Sequence, residues 1–300
     1  MRLAAVDIGT NTVRMLVADI EGALVLEVDR AVDVVGLGKG ISQSGMIAPE
    51  SMTDAVAVLT GYGQRIWAMN PLRIRVVATS ASREASNSGE LVERIEAALG
   101  LTPDIVSGEE EACLAFAGAV WGAGSAGRHL VIDVGGGSTE FVSGHDSPET
   151  AVSIDIGSVR LTDRLLVARP PEPGGVECAR LAVREMFGSV PIPDPHVNAI
   201  GVAGTFTSLA AIHLGLARYQ RERVHRAVLS LGDLDDLVMV LSGMTLSETE
   251  SIPSLDPKRA SVILAGAVIA AEAVRRSGSD SVTISETDIL EGIVLTLSRE

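Results

Sequence analysis

Asp7 and Asp133 each close an apolar run and stand two residues before a glycine, in Val6-Asp-Ile-Gly-Thr-Asn-Thr12 and Ile132-Asp-Val-Gly-Gly-Gly-Ser-Thr139. An acid at the end of a buried strand, followed by glycine and small polar residues, sets a carboxylate beside backbone N–H groups that can approach an anion closely. Gly9, Gly135, Gly136 and Gly137 permit that approach, and Thr10, Asn11, Thr12, Ser138 and Thr139 add side-chain hydrogen-bonding groups. One such turn is an ordinary hairpin, since Asp and Gly are common turn residues. Two of them, matched in order and chemistry, read as duplicated halves that would bring both carboxylates into one cleft. Two acids over a phosphate imply a cation, and they suit Mg²⁺ held mostly through water and substrate oxygens.

A phosphohydrolase also needs a carboxylate to orient or deprotonate the attacking water. Ser107-Gly-Glu-Glu-Glu-Ala112 offers three, although acids at a helix start are equally explained by capping and the helix dipole. Arg83 in Ser80-Ala-Ser-Arg83 is a candidate to neutralise a phosphoryl group, against the plainer alternative of a surface turn arginine. Arg218, Arg221, Arg223 and Arg226 could line a track for a polyanion or form a solvated basic face. Cys113 reads as a small buried residue with no histidine nearby to activate it.

The elements that must hold these residues follow from periodicity and punctuation. The first hairpin ends with a strand over Val13–Ile20, and Gly36-Leu-Gly-Lys-Gly40 forms a loop. A helix with Pro49 near its start runs to about Met69, and Arg73–Thr79 is a buried strand. A helix ending near Gly100, a strand at Asp104–Val106 and a helix from Glu109 complete the first half. The second half places strands at Leu130–Gly135, Glu140–Ser143, Ala151–Ile156, Ala199–Ala203 and Val282–Ile284. Its helices fall near Ser158–Val167, Val176–Gly188, after Gly204, at Asp233–Gly243 and Pro257–Arg276, with a last helix from Asp288. The glycine-rich segment 122–127 is the best linker, giving domains 1–124 and 125–300, with the last helix able to pack back on the first.

Composition narrows the class. The hydrophobic share is 46% with only 3% aromatic, so Ala, Val, Leu and Ile build the core, as in α/β proteins with helices on largely buried sheets. A net charge of −15 argues against a nucleic-acid-binding surface and requires local positive charge or metal for any polyanionic substrate. No signal peptide or membrane span is expected. The two cysteines suit free thiols in a cytoplasmic protein.

The segments VDIGTNTVRMLVAD, ATSASREASN, SGEEEACLAF, IDVGGGSTEF, DIGSVRLTDRL, GVAGTFTSLA, DPKRASVILAG and the final LEGI, taken together and in this order, resemble the exopolyphosphatase/guanosine pentaphosphate phosphatase (Ppx/GppA) family over essentially the whole chain. The resemblance implies an α/β fold of two actin-like (ribonuclease H-like) domains with a cleft between them, and Mg²⁺-dependent release of orthophosphate. It places the catalytic glutamate at Glu111, the cleft arginine at Arg83, and the second-half turn at Asp133, Gly135 and Glu140, so that Asp7, Asp133 and Glu140 are the expected metal residues. Ser158 and Arg160 match a turn facing the phosphate chain. Gly204 and Thr205 match the turn that contacts the base in ATP-binding relatives. The expected substrate is inorganic polyphosphate or guanosine pentaphosphate, and the expected assembly a homodimer. Ending at Glu300 without the C-terminal helical domains of longer members, the chain is expected to favour short polyphosphates or a nucleotide. A small-molecule kinase and a non-catalytic phosphate-ligand sensor are the competing readings; neither comes with a recognisable acceptor pocket or a reason to keep Glu111.

Overall fold

The computed structural model describes residues 1–124, 127–191 and 197–299. Ser125 and Ala126 of the expected linker lie outside them. The chain forms two compact units, Met1–Gly118 with Asp288–Glu300, and Ala119–Thr287. Helix α5, Gly108–Ala123, runs through residue 118.

In the first unit, strands β1 (Arg2–Ile8), β2 (Thr12–Glu21) and β3 (Leu24–Val34) precede helices α1 (Ile41–Ser44) and α2 (Pro49–Ala68). Strand β4 (Arg73–Ala78), helices α3 (Ser80–Glu84) and α4 (Ser88–Leu99), strand β5 (Asp104–Ile105) and helix α5 (Gly108–Ala123) follow. The sheet order is β3-β2-β1-β4-β5, antiparallel through β3, β2 and β1 and parallel through β1, β4 and β5. Strand β1 is buried on both faces, which is why it is almost wholly apolar. Its parity decides the site. Ala4, Val6 and Ile8 join Leu59 of α2 and Ile95 of α4 in one core, whereas Leu3 and Ala5 join Leu114 of α5 and Leu290 of the last helix in another. Asp7 shares the parity of Leu3 and Ala5, so it points to the face covered by α5 and the last helix.

The second unit repeats the plan with β6 (His129–Val134), β7 (Thr139–Gly144) and β8 (Pro148–Ile154), then α6 (Ser158–Leu165) and α7 (Gly175–Phe187). Strand β9 (Asn198–Val202), helices α8 (Ala203–His213) and α9 (Arg221–Val224), strand β10 (Val228–Ser230) and helices α10 (Leu231–Ser242) and α11 (Leu246–Glu250) come next. Helix α12 (Ile263–Ser277) and strand β11 (Ser281–Ile284) end the unit, and α13 (Ile289–Leu297) belongs to the first. The sheet order, β10-β11-β9-β6-β7-β8, reproduces the first sheet with β10 added. Leu130, Ile132 and Val134 enter the core with α12, which is buried nearly all round. Asp133 lies on the opposite face of β6. Among the described residues no helix is long and apolar enough to cross a membrane.

Two expectations change. The single helix over 257–276 is broken: Asp256 caps only a three-residue 3₁₀ turn at Pro257–Arg259, and α-helix resumes at Ile263. Strand β3 is an eleven-residue edge strand that the sequence reading passes over, because Glu27, Asp29, Arg30 and Asp33 interrupt its apolar residues.

Candidate active site

The two turns after Asp7 and Asp133 are built alike. Gly9 N–H donates to the Thr12 carbonyl (2.9 Å), and Gly135 N–H donates to the Ser138 carbonyl (3.1 Å). Each turn is then clamped from behind by a second glycine segment. Gly38 N–H donates to the Thr10 carbonyl (2.7 Å) and Gly36 N–H to the Asn11 carbonyl (3.0 Å). In the other unit Ser158 N–H donates to the Gly135 carbonyl and Val159 N–H to the Gly136 carbonyl, both at 2.9 Å. Since a trans peptide holds its C=O and N–H on opposite sides, these clamps aim the N–H groups of Asn11, Thr12, Gly136 and Gly137 away from the clamping segments. Backbone N–H groups turned outward at a glycine turn can bind anions.

Ser158 and Arg160, expected to face a phosphate chain, brace this turn: the Ser158 hydroxyl donates to the Gly135 carbonyl (3.2 Å) and Arg160 Nε to the Gly137 carbonyl (3.0 Å). The Thr139 hydroxyl donates to the Ile156 carbonyl (2.6 Å), again a brace. A Cβ on Gly157 would run into the Gly136–Gly137 peptide itself. Gly157→Ala is therefore expected to displace the turn, lowering Tm by several degrees for about 1–3 kcal/mol of overpacking and reducing activity with it. A melting curve and a rate measurement check this; an unchanged rate would remove the turn from the site.

At the same register in the two hairpins the charges differ. Asp7 pairs across β1 and β2 with Arg14, and Asp133 pairs across β6 and β7 with Glu140, each seven residues on. Arg14 Nε and Nη2 both donate to Asp7 Oδ2, at 2.9 and 2.7 Å, and Arg14 Nη1 pairs with Asp288, the N-cap of α13. The first hairpin thus carries its own cation. In the second, two buried carboxylates stand directly opposite one another, with Glu140 also accepting from the Ser153 hydroxyl (2.7 Å) on β8. Two carboxylates in that register can share a cation. Among the described residues no three or more His, Cys, Asp or Glu side chains are grouped to hold a metal. Two carboxylates with the remaining positions left to water and substrate fit Mg²⁺.

Helix α5 separates its three acids. The Ser107 hydroxyl caps the helix by accepting from Glu110 N–H (3.1 Å); Glu109 is exposed, and Glu110 pairs with Arg75 (2.6 Å). Glu111 turns inward, where it accepts from Arg83 Nη1 (2.8 Å) and the Thr79 side chain and lies within the field of Asp7. Burial pushes the Glu111 carboxyl above its usual range, against the pull of Arg83, and Asp7 adds to the rise. Asp7 is also raised, by burial above all, with Arg14 opposing. Cys113 is half-buried, and burial together with Glu109 and Glu110 pushes its thiol up, the wrong direction for a nucleophile.

Elsewhere in the second unit, the strain of the strand-to-helix corner sits one residue before Gly204, at Ala203, whose φ is +66°. A side chain at Gly204 would collide with the Arg259 guanidinium, and Thr205 packs on Gly266 of α12. Of the arginine cluster, Arg221 pairs with Glu286 (3.3 Å); Arg218, Arg223 and Arg226 are exposed, with Arg226 donating to the Gly122 carbonyl (3.1 Å).

With this geometry in place, comparison with known proteins is decisive at the family level. The Ppx/GppA phosphatase family model matches residues 16–300. The chain belongs to the Ppx/GppA phosphatase family. Exopolyphosphatase 2 of Mycobacterium tuberculosis is 38% identical to it over 314 residues, covering 99% of this chain and 98% of that protein. Exopolyphosphatase 1 of the same species is 30% identical, with 98% and 88% covered. A solved exopolyphosphatase-like protein superimposes with a TM-score of 0.92 at 32% identity, over 100% of this chain and 99% of that one. The Aquifex aeolicus Ppx/GppA protein gives 0.85 at 27% identity, over 100% and 98%. This Ppx/GppA chain is a hydrolase of mixed α/β fold with two sheets.

The sequence reading missed four members of the site: Arg14, Thr79, Gly38 and Asp288. Arg14 alone carried a signal, since the spacing from Asp7 to Arg14 equals that from Asp133 to Glu140.

Proposed function

We propose that this Ppx/GppA phosphatase is an exopolyphosphatase that removes the terminal phosphoryl group of inorganic polyphosphate, with short chains preferred, Mg²⁺ required and Glu111 as general base. The observation that carries the reading is Glu111: a largely but not fully buried carboxyl with a raised pKa, held by Arg83 and Thr79. A base tuned upward toward neutrality is the group phosphoryl transfer to water needs.

In this account the N–H groups of a glycine turn of this kind take phosphate oxygens. Asp133 and Glu140 would hold Mg²⁺, which neutralises charge on the bridging and terminal oxygens when bound. Asp7 is assigned a different part from the one expected of it: with Arg14 as its cation, it sets the field at Glu111 rather than ligating metal directly. Glu111 orients the attacking water and accepts its proton. Arg83 keeps Glu111 in place, and its partners favour this task over a direct phosphate contact.

Short chains are favoured because Arg221 is paired with Glu286, which weakens the four arginines as a shared track for a long polyanion. The kinase reading is weakened by Arg259, which an adenine lying on the Gly204 turn would have to displace. Orthophosphate release from short polyphosphate, long polyphosphate, guanosine pentaphosphate and ATP tests the assignment. Fastest release from short polyphosphate is expected, and faster release from guanosine pentaphosphate would reassign the substrate.

The pH profile supplies a signed test. Arg83 lowers the Glu111 pKa and Asp7 raises it. The acid limb of kcat/KM, which reports the free enzyme's base, should move to higher pH in Arg83→Ala and to lower pH in Asp7→Asn. A limb that stays put in both variants would exclude Glu111 as the titrating group.

A further inference from the structure

Strand parity sends Asp7 to the face covered by α5 and α13, and it meets α13 through Arg14. Both Arg14 Nε and Nη2 go to a single oxygen of Asp7, and Nη1 goes to Asp288 Oδ2. All three side chains are largely withdrawn from solvent, at 15% exposure for Arg14, 4% for Asp7 and 7% for Asp288. A guanidinium held along one edge by one carboxylate oxygen can swing with that oxygen. A second anion on its remaining nitrogen fixes the plane of the fork and, with it, the carboxylate it grips.

Asp288 is itself anchored. Its other oxygen accepts from Leu290 N–H (3.3 Å), and its own N–H donates to Glu291 (3.0 Å), closing a capping box at the start of α13. Glu291 in turn pairs with Arg30 on β3. The first turn of α13 is therefore docked by two ion pairs, of which only one leads to the phosphate turn.

We infer that Asp288 is a positioning residue for the first phosphate turn: it holds Arg14, and Arg14 holds the Asp7 carboxylate at the strand end that leads into Gly9. This rests on Asp7 belonging to the working site, as proposed above. It gives the last helix a part in the chemistry although no residue of that helix touches substrate in this account.

Asp288→Asn isolates the link. The amide oxygen can still cap Leu290 N–H, but its NH₂ group would face Arg14 Nη1, donor against donor. Glu291→Gln is the matched control, removing the other buried acid of the same turn and its pairing with Arg30. In the full-length protein kcat for orthophosphate release is expected to fall about tenfold or more in Asp288→Asn, with KM within about twofold, because the reacting groups and not the affinity are disturbed. In Glu291→Gln kcat should stay within about twofold. Combined with Asp7→Asn, the Asp288 substitution should cost less than about twofold further, since its route ends at the lost carboxylate. In ¹⁵N-labelled substrate-free protein the amide resonances of Gly9, Thr10 and Asn11 should shift in Asp288→Asn and hold in Glu291→Gln. Equal losses in the two single variants, a full loss in the Asp7→Asn background, or unshifted Gly9–Asn11 amides would each overturn the inference. The amide measurement needs no activity, so it decides the link even if the polyphosphatase reading fails.

Discussion

Glu111→Gln is expected to lower kcat for orthophosphate release by about 10²–10⁴, the range a general base contributes, while leaving KM and the fold nearly unchanged. The amide has the same shape and can still accept from Arg83 Nη1, the contact made by Glu111 at 2.8 Å, so packing is preserved and only the ability to take a proton is lost. Glu110→Gln, one residue earlier, is the natural control: it removes an exposed pair with Arg75 that is worth little in water. A steady-state rate comparison of the two variants distinguishes a base from a capping acid. Similar losses in both would return Glu111 to the helix-capping role that three consecutive acids suggest.

Asp133→Asn is expected to have the second large effect, because it halves the negative charge available to Mg²⁺ at the second hairpin. Activity at about 1 mM Mg²⁺ should drop by about 10²-fold or more, and part of the loss should return at higher Mg²⁺, as weakened metal binding requires. EDTA should abolish wild-type release, and Mg²⁺ should restore it. If both groups act in the same transition state, the Asp133→Asn and Glu111→Gln double variant will lose far less than the product of the single losses. Multiplicative losses would separate the carboxylate pair from the water-activating step.

The two halves were legible because their hairpins are local. Strand, Asp, glycine turn and strand are contiguous in sequence, and their repetition is visible at Val6–Thr12 and Ile132–Thr139. The same locality hid what the structure adds. The clamp of Gly38 on Thr10 joins loops far apart in sequence, and Asp288 reaches Arg14 across most of the chain. Glu111 was legible as one of three acids, but what separates it from Glu109 and Glu110 is the turn of α5 that faces Thr79 and Arg83. Arg83 was legible by its charge type, which suits a phosphate, and only folding reveals the Glu111 carboxylate beside it. Strand β3 was passed over because its charged residues break up a continuous apolar run, yet Asp29 and Asp33 are bound by Arg65 and Tyr62 once the strand is formed.

The decisive measurement follows a polyphosphate of defined length in H₂¹⁸O with Mg²⁺, resolving products by chain length and isotope. Orthophosphate is expected from the first turnover, with one ¹⁸O in each orthophosphate released while the chain is longer than pyrophosphate, and a remaining chain shorter by one unit at a time. Fragments from internal cleavage, unlabelled orthophosphate from those longer chains, or no release at all would contradict this.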